Sequence, residues 1–213
     1  MADFTLNMAL REHLRANLDR FAPQDAPQPD LKSAAVAVVI AAHEPGSNAH
    51  PAILLTLRSA RLKQHSGQYA LPGGKLDAGE TPAGAALREL HEELGLSLNA
   101  DAVLGRLDDY PTRSGYRITP IVVWAGADCA LIPSPDEVEK VFRIPFHELA
   151  SDAIPVFEPG IDESAPILFC EFPTLGHRMY SPTASILFQF REVAMRGVST
   201  RVAHFDQPRF AWT

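Results

Sequence analysis

The stretch "TPAGAALRELHEELG", residues 81 to 95, constrains the fold more than any other because both ends of a helix are written into it. Thr81 offers a side-chain oxygen to the first unpaired amides. Pro82 suits the first helical position, and Gly95 stands where a left-handed residue ends a helix. Between them Ala83, Ala86, Leu87, Leu90 and Leu94 recur at helical spacing and predict an inner apolar stripe. Glu89, Glu92 and Glu93 lie off that stripe, at i, i+3 and i+4, with no cation between them. Like charges so spaced each cost about 0.2–0.5 kcal/mol. A solvated acidic face is the plain reading of such a run. The sharper one is a cradle for a hard divalent cation, since Mg²⁺ prefers oxygen ligands and its charge reverses the local repulsion.

The rest of the chain supplies strands for this helix to pack on. "SAAVAVVIAAH" (33–43) and "AILLTLRS" (52–59) read as two strands of a hairpin. "AVLGRLDDY", "YRITPIVVWAG", "DEVEKVFRIP" and "ILFCEFP" read as further strands, "PFHELAS" as a short helix, and 181–197 as a longer one behind Ser181 and Pro182. This mixture predicts an α/β (α+β) sandwich with a mixed β-sheet. Ahead of it, Leu6, Leu10, Leu14 and Leu18 mark an amphipathic helix, followed by the proline-rich "APQDAPQPD". That arrangement predicts an appended helix and linker over 1–30, a main domain over 31–197 and a patternless tail over 198–213. The apolar face of the first helix could cover the sheet or form a homodimer contact.

With 213 residues and 46% apolar content the chain can bury a full core as one domain. Its net charge of −7 argues against nucleic acid as a partner, and no apolar run suggests a signal peptide or a membrane span. Two cysteines, Cys129 and Cys170, lack metal-type spacing and point to a reducing cytoplasm with both thiols buried.

Around the helix, "GKLDAGETPAGAALRELHEELGL" places Gly74, Glu80, Arg88, Glu89, Glu92, Glu93 and Gly95 at the spacing G-x5-E-x7-R-E-U-x-E-E-x-G-U, where U is apolar. By residue usage alone, such a match arises at roughly one start point in a billion. It resembles the signature of the Nudix hydrolases, which implies an α/β/α sandwich with a catalytic loop-helix-loop. The resemblance implies Mg²⁺ or Mn²⁺ as cofactor and a small-molecule substrate, a nucleoside diphosphate linked to another group. By position it makes Glu89, Glu92 and Glu93 metal ligands, with Gly74 contributing backbone, and Glu80 structural support. Arg88 orients the carboxylates, and the general base is left open among Glu89, Glu92 and a distant glutamate, for which Glu137 is the candidate.

Upstream, "LLTLRSARLKQHSGQYALPGG" (54–74) is similar to the coenzyme A pyrophosphatase branch of that family, with Lys63 in place of an arginine and Leu71 in place of a phenylalanine. Arg58, Arg61, Lys63 and His65 are the densest basic cluster in an acidic chain. Arg58, Lys63, His65, Gly73 and Tyr116 are accordingly the expected substrate contacts. The resemblance implies cleavage of coenzyme A or its derivatives to 4′-phosphopantetheine and adenosine 3′,5′-bisphosphate. ADP-ribose, a dinucleotide or a nucleoside triphosphate is the alternative substrate, and a silent nucleotide sensor is the rival of another class.

Overall fold

The computed structural model describes residues 4–26, 28–61, 67–160 and 165–212. At its centre lies β1 (Lys32–Ala42), a strand that is apolar on both faces. Both faces must therefore be covered, which is what makes the molecule layered. The strands that join it are β2 (Pro51–Arg58), β3 (Tyr69–Ala70), β4 (Gly73–Lys75), β5 (Val103–Arg106), β6 (Tyr110–Pro111), β7 (Tyr116–Gly126) and β8 (Val138–Pro145). β1 runs parallel to β7 and antiparallel to β2 and β4, so the sheet is mixed, as expected.

Alternation along β1 separates the layers. Ala35, Ala37, Val39 and Ala41 meet Ala85, Ala86, Leu90 and Leu94 of α2 (Pro82–Leu94). Val38, Ile40 and Ala42 face the opposite core, with Leu14 and Leu18 of α1 (Met8–Arg20), Phe146 of α3 (Phe146–Leu149) and Phe190 of α4 (Thr183–Phe190). The result is an α/β/α sandwich. α4 continues into a wider π-helical turn over Arg191–Met195. A second, three-stranded antiparallel sheet of β9 (Val156–Glu158), β10 (Ile167–Glu171) and β11 (Arg178–Tyr180) adds Leu168, Cys170 and Met179 to that same core. Cys129 and Cys170 are both free and buried. No helix among the described residues is long and apolar enough to cross a membrane.

Three expectations are corrected. The first helix is not an appendage: Leu6, Leu14, Leu18 and Phe21 are buried in the main core, and Leu18 packs so closely on β5 that a Cβ at Gly105 would come 3.0 Å from its own. The linker folds back because its backbone is pinned, with Gln24 N–H donating to Asp108 Oδ1 at 2.7 Å and Gln24 C=O accepting from Asp109 N–H at 2.9 Å. The tail is likewise built in: Val202, Asp206 and Gln207 are buried, and Asp206 Oδ1 accepts from Arg113 Nε at 3.1 Å. Polar contacts of this kind leave no hydrophobic period to read. Finally, the buried side of α2 holds Ala85, Ala86, Leu90, Glu93 and Leu94, whereas Ala83 and Leu87 are half-buried. A carboxylate therefore sits on the face assigned to apolar residues.

Candidate functional site

The caps of α2 form as the sequence dictates: Thr81 Oγ1 accepts from Gly84 N–H at 3.1 Å, and Gly95 adopts φ 66° with its N–H bonded to the His91 carbonyl. These ends fix the helix in register against the preceding loop and bring Arg88 back over Glu80. Arg88 Nε and Nη2 donate to the two oxygens of Glu80, each at 3.0 Å, and Nη2 also donates to the Lys75 carbonyl at 3.0 Å. Nη1 donates to Glu89 Oε1 and to Glu92 Oε2, both at 2.9 Å. A guanidinium has five N–H groups, and all five are used. The expectation of a face without an interleaved cation is thus wrong: Arg88 stands between Glu89 and Glu92. It also pins loop to helix through Glu80, whose carboxyl it holds below the usual range by direct hydrogen bonding, while these carboxylates raise its own pKa.

Glu89 rests against the backbone of β4. A Cβ at Gly74 would stand 2.3 Å from Glu89 Oε1, so a glycine is what lets the carboxylate approach the strand. Gly74 itself is placed by pairing with Ala35 of β1. Burial raises the pKa of Glu89 against the opposing pull of Arg88, and the charges of Glu92 and Glu137 raise it further.

Glu93 is 2% exposed. Its Oε1 lies 3.7 Å from Arg58 Nη1, and its Oε2 is buried without a hydrogen-bond partner among the described residues. Burial pushes its pKa up to about 8; Arg58 and the Gly73 N–H oppose this, and the nearby charges of Glu89 and Glu137 add to it. The fold therefore brings Glu137 to the cluster from a segment well downstream of α2. It sits just before β8, with its carbonyl accepting from Ser59 N–H at 2.9 Å beside the end of β2.

Arg58, Gly73 and Gly74 also line a cleft of about 810 Å³. Tyr116 is on its wall, with Lys75 Nζ 5.8 Å from the ring centroid. No Asp or Glu is among the described residues lining it, whereas Arg58, Lys75 and Arg178 are, an inversion of the chain's overall charge. Sequence reasoning missed Lys75, although it directly follows the two glycines, and missed the far wall of Arg178, Tyr180 and Phe210, which no local pattern announces. Lys63 and His65 lie outside the described residues.

Among the described residues no three acidic or metal-ligating side chains converge tightly enough to enclose an ion, because Arg88 holds Glu89 and Glu92 while Arg58 holds Glu93. The donor set nonetheless fits a hard divalent cation. Two carboxylates whose ionisation the fold disfavours, one of them with an unpartnered oxygen, face bare glycine backbone, and oxygen donors of this kind suit Mg²⁺ or Mn²⁺.

Residues 31–164 match the family model described as the NUDIX domain. Among curated relatives, the uncharacterized Nudix hydrolase NudL of Yersinia pestis (strain Pestoides F) is 40% identical over 102 residues, covering 47% of this chain and 51% of that one. A protein of the same description from Yersinia pseudotuberculosis (serotype O:1b, strain IP 31758) gives the same figures. The chain thus spans about half the length of the curated relatives it matches. Of solved structures, the Francisella tularensis bifunctional NMN adenylyltransferase/ADP ribose pyrophosphatase complexed with AMP and Mn ion is 27% identical, with 65% of this chain and 39% of that chain covered and a TM-score of 0.41. The MutT protein from Methanosarcina mazei Go1 is 17% identical, with 61% and 83% covered and a TM-score of 0.44. The family match takes in β1 to β8 together with the capped helix and its glutamates, more than half of the chain, and on that basis this protein belongs to the NUDIX domain family.

Proposed function

We propose that this protein is a Mg²⁺- or Mn²⁺-dependent pyrophosphohydrolase that cleaves the diphosphate of coenzyme A or a derivative to 4′-phosphopantetheine and adenosine 3′,5′-bisphosphate. The observation that carries the hydrolase reading is Glu93, a buried carboxylate with a free oxygen, set between Arg58 and Glu89 at the edge of an acid-free cleft. Such a group is costly to ionise without a cation beside it. The coenzyme A assignment is supported by the segment 54–74 ahead of the glycines, and the family's general use of divalent metals supports the cofactor.

Glu93 and Glu89 would hold the cation, with Glu92 as a further ligand and Gly74 giving it access along the backbone. A divalent ion there supplies charge neutralisation for the diphosphate oxygens and makes water at the site more acidic. Arg88, with no N–H to spare, positions Glu89 and Glu92 and does not reach substrate. Glu80 anchors Arg88. Arg58 and Lys75 receive the phosphates, and Tyr116 forms part of the wall beyond them. The proton of the attacking water goes to Glu89, Glu92 or Glu137. We assign it to Glu137, whose negative charge acts on both Glu89 and Glu93 and whose carboxylate makes no side-chain hydrogen bond among the described residues. The two buried free thiols suit a reducing, cytoplasmic setting.

The same site would serve another nucleoside diphosphate derivative, since the cleft volume admits many nucleotide ends. Incubation of the purified protein with Mg²⁺ and coenzyme A species, ADP-ribose, dinucleotides or nucleoside triphosphates, with products identified by mass, decides between them. Cleavage of coenzyme A at its diphosphate with the highest kcat/KM is expected. Preference for ADP-ribose would overturn the coenzyme A assignment, and inertness toward the whole panel would overturn the hydrolase reading.

A further inference from the structure

Arg58 closes β2 and faces two environments. On one side its Nη1 lies 3.7 Å from Glu93 Oε1; on the other its side chain lines the cleft beside Gly73, Gly74 and Lys75. It has far more donors than acceptors. Nε is buried with no hydrogen-bond partner, and Glu93 is its only ion-pair partner among the described residues. Glu93 is also under-committed, with Oε2 unpartnered among the described residues. Arg88, by contrast, spends all five of its N–H groups.

Resting on the cation site proposed above, we propose that Arg58 is an exchangeable counter-ion: it holds Glu93 when no metal ion is there, and turns into the cleft to meet the substrate's phosphates when one is. A hard divalent ion at this site would take the Glu93 oxygens as ligands. That contact places two positive charges a few ångströms from the guanidinium in a half-buried site, where like charges repel strongly. The displaced guanidinium then faces the acid-free cleft, and a diphosphate there presents paired oxygens that match its planar fork. Metal alone therefore binds against Arg58, whereas metal together with a diphosphate anion binds with its help. By linkage, each ligand must raise the affinity for the other.

The test measures binding rather than turnover. Free Mn²⁺ is followed by its electron paramagnetic resonance signal at pH 8.5 for the full chain and for Arg58→Met. Each is titrated alone and with an ADP analogue whose bridging oxygen is replaced by methylene. Arg58→Met is expected to bind Mn²⁺ alone about tenfold more tightly than the unsubstituted protein, and to lose most of the enhancement given by the analogue, within the roughly 5–150-fold range of such couplings. Arg58→Lys keeps the charge but not the fork, so its affinity for Mn²⁺ alone stays near that of the unsubstituted protein while the enhancement falls. Circular dichroism checks folding, and Arg58→Gln replaces the methionine variant should that fail to fold. Mn²⁺ bound equally by both proteins, or more weakly by Arg58→Met, overturns the exchange and leaves the cation site intact. No Mn²⁺ bound by either overturns the cation site as well.

Discussion

Replacing Glu93 with glutamine should make the metal-free protein more stable, and more so as pH rises. In the fold this carboxyl titrates near pH 8, against 4.5 for an exposed glutamate. Below pH 4.5 both folded and unfolded chains keep the proton and no penalty exists. From there to pH 8 the unfolded chain has released a proton that the folded chain retains, so folding stability falls as pH rises, by roughly 1.4 kcal/mol per pH unit. Above pH 8 both forms are ionised and the loss levels off at about 5 kcal/mol, on the order of a whole domain's margin. Glutamine carries no titrating proton and escapes this loss. Urea unfolding with a chelator at pH 5.5, 7 and 8.5, for the unsubstituted protein and Glu93→Gln, reads the difference directly. The gap should widen from about 1 kcal/mol at pH 5.5 to several kcal/mol at pH 8.5, with about 2 kcal/mol at pH 8.5 as the least the reasoning allows. Addition of Mg²⁺ at pH 8.5 should then stabilise only the unsubstituted protein, by about 1.4 kcal/mol at ten times its Kd. Parallel pH curves for the two proteins would refute the buried, uncompensated carboxylate. Equal stabilisation of both by Mg²⁺ would remove Glu93 from the ligand set.

Gly74→Ala puts a methyl 2.3 Å from Glu89 Oε1 and so must displace that carboxylate; turnover should fall about 100-fold with the circular dichroism spectrum retained, and full activity would refute the packing. Glu137→Gln should lower kcat by about 10²–10⁴-fold and leave Mn²⁺ affinity within about threefold, as expected of a proton acceptor that is not a ligand. An unchanged kcat transfers that role to Glu89 or Glu92. Leu18→Ala should cost about 2–5 kcal/mol in urea unfolding because Leu18 is 4% exposed and packed on β5; a loss below 1 kcal/mol, roughly that of a surface site, would restore the picture of an appended helix.

What could be read in advance was local. The caps of α2, the acidic i, i+3, i+4 spacing and the apolar strands follow from periods of 3.6 and 2, and these elements form where the sequence predicts them. Arg88 as the residue that orients the carboxylates was readable too, since Arg88 and Glu92 are i, i+4; what the sequence did not show is that its five N–H groups are all taken up by Glu80, Glu89, Glu92 and the Lys75 carbonyl. Contacts made by tertiary folding left no such trace. Arg58 reaches Glu93 only where the end of β2 meets α2, and the charge of Glu137 acts on Glu89 because β8 pairs with β2 and sets Val138 beside Arg58. Nor does anything in 198–213 foretell that Asp206 and Gln207 are buried, since a segment held by side-chain-to-backbone bonds needs no repeating apolar face.

The two arginines explain how so acidic a helix can be both stable and chemically useful. A carboxylate cluster that is fully neutralised by its own chain is well ordered but has nothing left to bind, and one left bare repels itself and loosens the helix. This chain divides the task. Arg88, with every N–H bonded, fixes Glu80, Glu89 and Glu92 in one arrangement that no ligand need create. Arg58 offers Glu93 only a 3.7 Å contact and, among the described residues, keeps a buried Nε without an acceptor, so its displacement breaks little. The firmly held carboxylates thereby supply geometry, while the loosely held one supplies an oxygen left uncommitted among the described residues. A cation arriving at such a site gains attraction from all of them and has only the weaker of the two arginines to displace.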